Sequence, residues 1–223
     1  MGQRIVDLTL PIHEGMQTFP VHWHPHVEIA QLGYLERENR ETRRLVLGTH
    51  TGTHMDAPRH FVEGGASVDE IALDQLIGPA TVCDLSAISP RRPVHIDDLT
   101  VRIGDDRPAR VILRYDWSDH FGEAEYYTDH PYLSEAAAAW LLDRGCRLVA
   151  MDTPMPDDPR NGRGSERDSP IHKLLLGKGV VLVEYLTNLR ALLRLDVLLI
   201  VAPLRIRGGD GSPVRCIAIE NEA

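Results

Sequence analysis

The stretch of this chain best equipped for chemistry is His50-Thr51-Gly52-Thr53-His54-Met55-Asp56-Ala57-Pro58-Arg59-His60-Phe61, with three imidazoles and a carboxylate inside eleven residues. If the backbone is extended here, His50, Gly52, His54 and Asp56 share one face, and Thr49, Thr51 and Thr53 share the other. The threonines, Gly52 and Pro58 argue against a helix, although His50 and His54 would also align at i, i+4. Nitrogen and oxygen donors converging in this way suit a divalent transition metal, Zn²⁺ or Mn²⁺. A single histidine is more often structural than a ligand; it is the concentration of four donors that carries the reading. Two or three ligands from one segment leave coordination positions open, as catalysis requires. Such an ion lowers the pKa of a bound water from about 15.7 to about 7 and can polarise a carbonyl.

Further ligands should come from distant polar residues embedded in apolar sequence. Glu184 ends the run Val180-Val181-Leu182-Val183, where an uncompensated carboxylate is expensive. His172 sits in the first turn of a predicted helix and is the best distal imidazole. Each taken alone is evenly balanced between ligand and structural residue. His22, His24 and His26 alternate, so in a strand they could form a weak extra metal site; pocket-rim or surface positions are the favoured reading. Tyr115, Asp116 and Trp117 follow a strand pattern and hint at substrate contact.

The elements that must position these residues are strand-rich. Ile5–Leu10, Arg44–Leu47, Ala80–Leu85, Val111–Arg114, Leu148–Met151, Val180–Glu184, Val197–Val201 and Val214–Ile219 read as strands. Val68–Ile77 places its apolar residues at helical spacing. Ser134–Asp143 is the clearest helix, with Ser134 as cap, an alanine run and Gly145 as stop. Ser169-Pro170 predicts an N-cap and first turn for a helix over Ile171–Leu176. Residues 157–168 have no apolar periodicity and read as a loop, solvated in preference to a lid over a site. The simplest account is one mixed α/β domain over residues 1–223.

Composition removes several function classes. With 43% hydrophobic and 26% charged residues the chain can bury a core, resting on aliphatic side chains because only 5% are aromatic. A formal net charge of −9 without a basic stripe excludes a nucleic-acid footprint. No apolar run approaches the roughly 18 to 20 residues of a membrane span. Cys83, Cys146 and Cys216 are an odd set in unrelated contexts, as expected of reduced thiols in a cytoplasmic protein.

The run from His50 to Phe61 resembles the H-x-G-T-H-x-D-x-P-x-H-F signature of the cyclase family of metal-dependent hydrolases, which includes bacterial kynurenine formamidase and isatin hydrolase. Asp7–Pro11 with Gly15-Met16 is similar to the family's opening, Met151–Pro154 to its Asp-Thr-Pro motif, and Gly211–Arg215 to its closing motif. His172 and Glu184 match the spacing of its distal ligands. The resemblance implies a barrel-like mixed β-sheet flanked by helices, assembled as a homodimer or larger oligomer. It further implies that His50, His54 and Asp56 hold one metal ion. Asp56 and Glu184 would bridge to a second, completed by His172, although some members use a single ion. His60 is then left as the acid/base residue, and Phe19 takes the place of a substrate-lining Trp. Trp23 and the neighbouring histidines have no counterpart in the family pattern, and the stretch between Pro156 and His172 is longer than in the formamidases. The implied activity is hydrolysis of a small amide, aryl formamide or cyclic amide. The alternatives are ring closure on a polyketide-type substrate, or metal binding without catalysis.

Overall fold

The computed structural model describes residues 2–221. Its strands are β1 (Gln3–Asp7), β2 (Glu28–Gly33), β3 (Thr42–Val46), β4 (His54–Asp56), β5 (Ile77–Asp84) and β6 (Pro93–Val94). They continue as β7 (Arg110–Arg114), β8 (Tyr132–Leu133), β9 (Leu148–Met151), β10 (Val181–Glu184), β11 (Asp196–Pro203) and β12 (Gly211–Asn221). The main sheet runs β12-β11-β5-β7-β9-β10-β4, and β4 pairs back onto β12 to close a barrel. Closure leaves no open edge in this ring, and β1 adds to β12 from outside it.

The pairs β5–β7, β7–β9 and β9–β10 are parallel, and the rest of the ring is antiparallel. Parallel neighbours need crossovers, which the helices Ile96–Ile103, Glu135–Asp143 and Pro170–Leu176 supply in turn. Strand alternation then sorts the core into two. Met55, Val82, Ile112, Ala150, Val183, Leu199 and Cys216, from all seven ring strands, join one cluster inside the barrel. Val111, Leu113, Val149, Met151 and Leu182, on the opposite faces, pack with Leu99, Leu141 and Leu175 of the helices.

The predicted strands all form, with shifted ends; the first stops at Asp7, leaving Thr9 in an isolated bridge to Leu186. The Arg44–Leu47 pattern becomes β3, but it pairs only with β2, in a hairpin outside the barrel. Ser134 caps its helix as expected, its Oγ accepting from Ala137 N at 3.2 Å. The stripe Val68–Ile77 is not one helix. A 3₁₀ turn spans Val68–Glu70, a single helical turn spans Leu73–Leu76, and Ile77 opens β5. Ile71 and Ala72 are extended, at ψ 127° and 137°, and split a pattern too short to nucleate one helix.

Candidate metal centre

β4 lies between β10 and β12, with His54 opposite both Glu184 and Pro213. Met55 and Val183 point into the barrel, so His54, Asp56 and Glu184 project from its outer wall, towards the helix that carries His172. The expected shared face holds for His54 and Asp56 alone. Residues 50–53 form a turn with Gly52 at φ +59°, and His50 reaches the same place through that turn. A Cβ at Gly211 would lie 2.7 Å from His50 Cε1 and 2.9 Å from the Met55 carbonyl, so only glycine lets the imidazole pack there. Beyond Asp56, Pro58 opens a 3₁₀ turn that returns His60 towards the site.

His172 begins the helix Pro170–Leu176, but Ser169 does not cap it: the residue is left-handed at φ 46° and its hydroxyl donates to Asp168. The cap is Asp157, whose carboxylate accepts from Ile171 N at 2.6 Å and His172 N at 3.1 Å. Asp157 also accepts from His172 Nδ1 at 2.5 Å. The start of the 157–168 loop is therefore buried and anchored, contrary to a purely solvated loop.

These bonds fix which nitrogen of each ring faces the site. His54 Nδ1 must donate to the Gly52 carbonyl, 2.8 Å away, because a carbonyl only accepts. His54 Nε2 then faces Asp56 Oδ1, 3.3 Å away, and Glu184 Oε2, 3.5 Å away. His172, held through Nδ1 by Asp157, points Nε2 at Asp56 Oδ2 (3.5 Å) and Glu184 Oε1 (3.2 Å). The two carboxylates thus divide their oxygens between two imidazoles. Donors about 2.1 Å from one ion sit about 3.4 Å apart, and each of the two imidazole nitrogens lies 3.2–3.5 Å from two carboxylate oxygens. No hydrogen bond of adequate geometry satisfies Glu184 Oε1, although the atom is buried. The ligand atoms of His54, Asp56 and Glu184 lie within 4.8 Å of one another, as do those of His50, Asp56 and His60. The residues present fit a divalent cation.

The electrostatics agree. Burial and the neighbouring Asp56 charge raise Glu184 above the usual carboxylate range. Burial also opposes the charge on Asp56, yet the adjoining imidazoles hold it well below that range. Two buried carboxylates side by side need a positive charge or a shared proton between them. His50 is placed differently from His54: Nδ1 is 2.7 Å from Asp56 Oδ1 and Nε2 is 2.9 Å from Asp210 Oδ2. Burial disfavours its cation, but Asp56 and Asp210 overcome that and push it up to about 10. Asp210 also lies 3.3 Å from His60 Nδ1. His60 is the most open imidazole of the group, 26% exposed against 2–9% for His50, His54 and His172.

A cavity of about 360 Å³ stands over these residues. Phe19 lines it, braced edge-on by Tyr127 at 5.5 Å between centroids. Residues 21–24 form turns and bends rather than a strand, so His22, His24 and His26 share no face. Of the three only His24 borders the cavity; burial pushes it down to about 4, and its ring stacks on His50. Tyr115 and Trp117 are core residues rather than substrate contacts, and Asp116 pairs with Arg114 and Arg190. Sequence reasoning missed Asp157, Asp210 and Tyr185, which lines the cavity from a left-handed backbone at φ 57°. Asp210 adjoins the Gly211–Arg215 motif and could have been found there; Asp157 carries no such signal.

Residues 6–158 match the family described as "Putative cyclase". A kynurenine formamidase of Salinibacter ruber is 35% identical over 208 residues, 86% of this chain and 89% of that one. Isatin hydrolase A from Labrenzia aggregata, solved with benzyl benzoate, superposes with a TM-score of 0.87 at 29% identity, over 99% of this chain and 94% of that one. A solved protein described as a potential metal-dependent hydrolase with cyclase activity gives 0.77 at 29% identity, covering 100% of both chains. With the family pattern spanning most of its length and the same barrel beneath it, this chain is a member of the cyclase family.

Proposed function

We propose that the protein is a metal-dependent hydrolase acting on the C–N bond of a small amide, aryl formamide or cyclic amide. The observation that carries this reading is the pair of imidazoles, His54 and His172, each held through Nδ1 and aiming Nε2 at the shared carboxylates Asp56 and Glu184. His50, His54, Asp56, His172 and Glu184 are the proposed ligands of one or two ions, Zn²⁺ or Mn²⁺. When bound, the ions supply Lewis-acid polarisation of the carbonyl and a water activated at neutral pH. Asp210 holds a proton on His60 Nδ1, leaving Nε2 to take a proton from water and return it to the departing nitrogen. Phe19, Phe61 and Tyr185 form the apolar wall that keeps bulk water from the reacting bond. The named activities of the formamidase and isatin hydrolase relatives support the same bond class.

Ring closure is a second reading, favoured by the relative described with cyclase activity. The cavity sits at the small end of the usual range, about 300 to 1,000 Å³, which favours a one- or two-ring substrate over a polyketide. A non-catalytic metal-binding role leaves His60 unexplained. Unpaired Cys83, Cys146 and Cys216 support a reducing cytoplasm, and the β2–β3 hairpin, with Leu32 and Leu45 exposed, supports assembly into a homodimer or larger oligomer. No described helix is long and apolar enough to cross a membrane. The test is to offer the metal-replete protein N-formylkynurenine and isatin. Turnover of either, abolished by a chelator and restored by Zn²⁺ or Mn²⁺, is expected; chelator-resistant turnover would overturn the reading.

A further inference from the structure

The roof of the cavity carries a feature the hydrolytic machinery does not use. Arg163 is the only Lys or Arg among the lining residues, and its guanidinium lies over the Trp23 ring, 4.7 Å from the centroid. The neighbouring cations are all spent on carboxylates. Arg160 pairs with Asp158 at 2.6 Å, Arg167 with Glu135, and Lys173 with Asp168 at 3.7 Å. Arg163 pairs with no carboxylate among the described residues. Asp168, which also lines the cavity, pairs with Lys173 and not with Arg163. A guanidinium over an indole face, with no carboxylate partner of its own, has donors left to take a carboxylate by two parallel bonds.

We propose that Trp23 and Arg163 form a carboxylate subsite at the cavity mouth, opposite the metal-binding floor. Its ligand is a small organic acid whose carboxylate meets Arg163 and whose apolar body lies against the wall that includes Phe19 and Phe61. The subsite stands independently of the hydrolase reading.

The test is therefore a binding measurement on the metal-loaded protein, with two probes of one shape and different charge, 3-phenylpropionate and 3-phenylpropanamide. The parent should bind the acid about tenfold more tightly than the amide, the effect of one charge-assisted contact at a half-open site. Arg163→Gln should remove that preference while leaving amide affinity unchanged, and Arg163→Lys should keep part of it. Added salt should erode the preference in the parent. Equal acid binding by parent and Arg163→Gln, as direct capture by a floor metal would give, overturns the subsite, and so does an equal loss for both probes. Arg163-dependent binding by a protein that hydrolyses no amide would refute the hydrolase reading and leave the subsite standing.

Discussion

The floor of the cavity is built from barrel strands and its roof from loops, and the two parts are held by different forces. On the floor, His54 and Glu184 sit opposite each other in a paired register, and Asp56 follows on the same face. Ladder hydrogen bonds and the packed barrel core fix those side chains, and the bonds from Gly52 and Asp157 fix the ring orientations. On the roof, Trp23 is 50% exposed and meets Arg163 through a stacking contact between two loops. Rigid elements carry the chemistry, where small displacements are costly, and loops carry the part that changes with the substrate. Floor substitutions should therefore alter metal content, whereas roof substitutions should alter only which molecules bind.

The largest effect is expected from Asp56→Ala. Both oxygens of this carboxylate face imidazoles, so its loss should empty the site and reduce turnover by more than about 10⁴-fold, beyond what proton transfer alone supplies. Elemental analysis beside the rate measures it, and an active metal-free variant would break the division between floor and roof. His60→Ala comes next: metal content unchanged, with turnover lower by about 10²- to 10⁴-fold. Loss of metal in that variant would make His60 a ligand with His50 and Asp56, the other grouping the geometry allows. Asp157→Asn should weaken metal affinity by about 10- to 100-fold, as read in a competition titration with a chromophoric chelator, because it loosens the His172 ring. Unchanged affinity would make Asp157 a helix cap and nothing more.

The smallest effect concerns Asp152, which lies outside both parts and accepts from Tyr115 N and Trp117 N in the core. Burial pushes its carboxyl up from 3.8 to about 7. Between those values Asp152 holds a proton in the folded chain that it has lost in the unfolded chain, so its own contribution to stability should fall as pH rises from about 4 to about 7 and level off above. The slope is at most about 1.4 kcal/mol per pH unit. Urea unfolding of the metal-free parent and of Asp152→Asn at several pH values isolates it: the parent should lose stability relative to the variant as pH rises from about 4 to about 7. A stability difference that does not change with pH would contradict the assignment.

The parts of the molecule legible in the sequence were those with local signals. Gly52, Pro58 and the spacing of His50, His54 and Asp56 mark the floor before any fold is known, and the apolar run before Glu184 marks its strand. The failures share one cause, tertiary bonds that override a local pattern. Ser169-Pro170 looks like a complete helix start, yet Asp157, twelve residues upstream of Ser169, takes the cap. The Val68–Ile77 stripe has helical spacing, yet Ile71 and Ala72 are extended and Ile77 is taken into the sheet opposite Ile200. Tyr115 and Trp117 follow a strand end, where sites often lie, but the Asp152 carboxylate binds their backbone and turns their rings into the core. Pairing of Trp23 with Arg163 joins residues 140 positions apart and leaves no trace in either segment.

The central claim is that the barrel wall holds a divalent cation. Metal content per chain, measured by elemental analysis on the parent and on Asp56→Ala after identical reconstitution with Zn²⁺ or Mn²⁺ and exhaustive dialysis, tests it most directly. One or two ions on the parent and none on the variant is the predicted result. A parent that retains no metal would contradict the account.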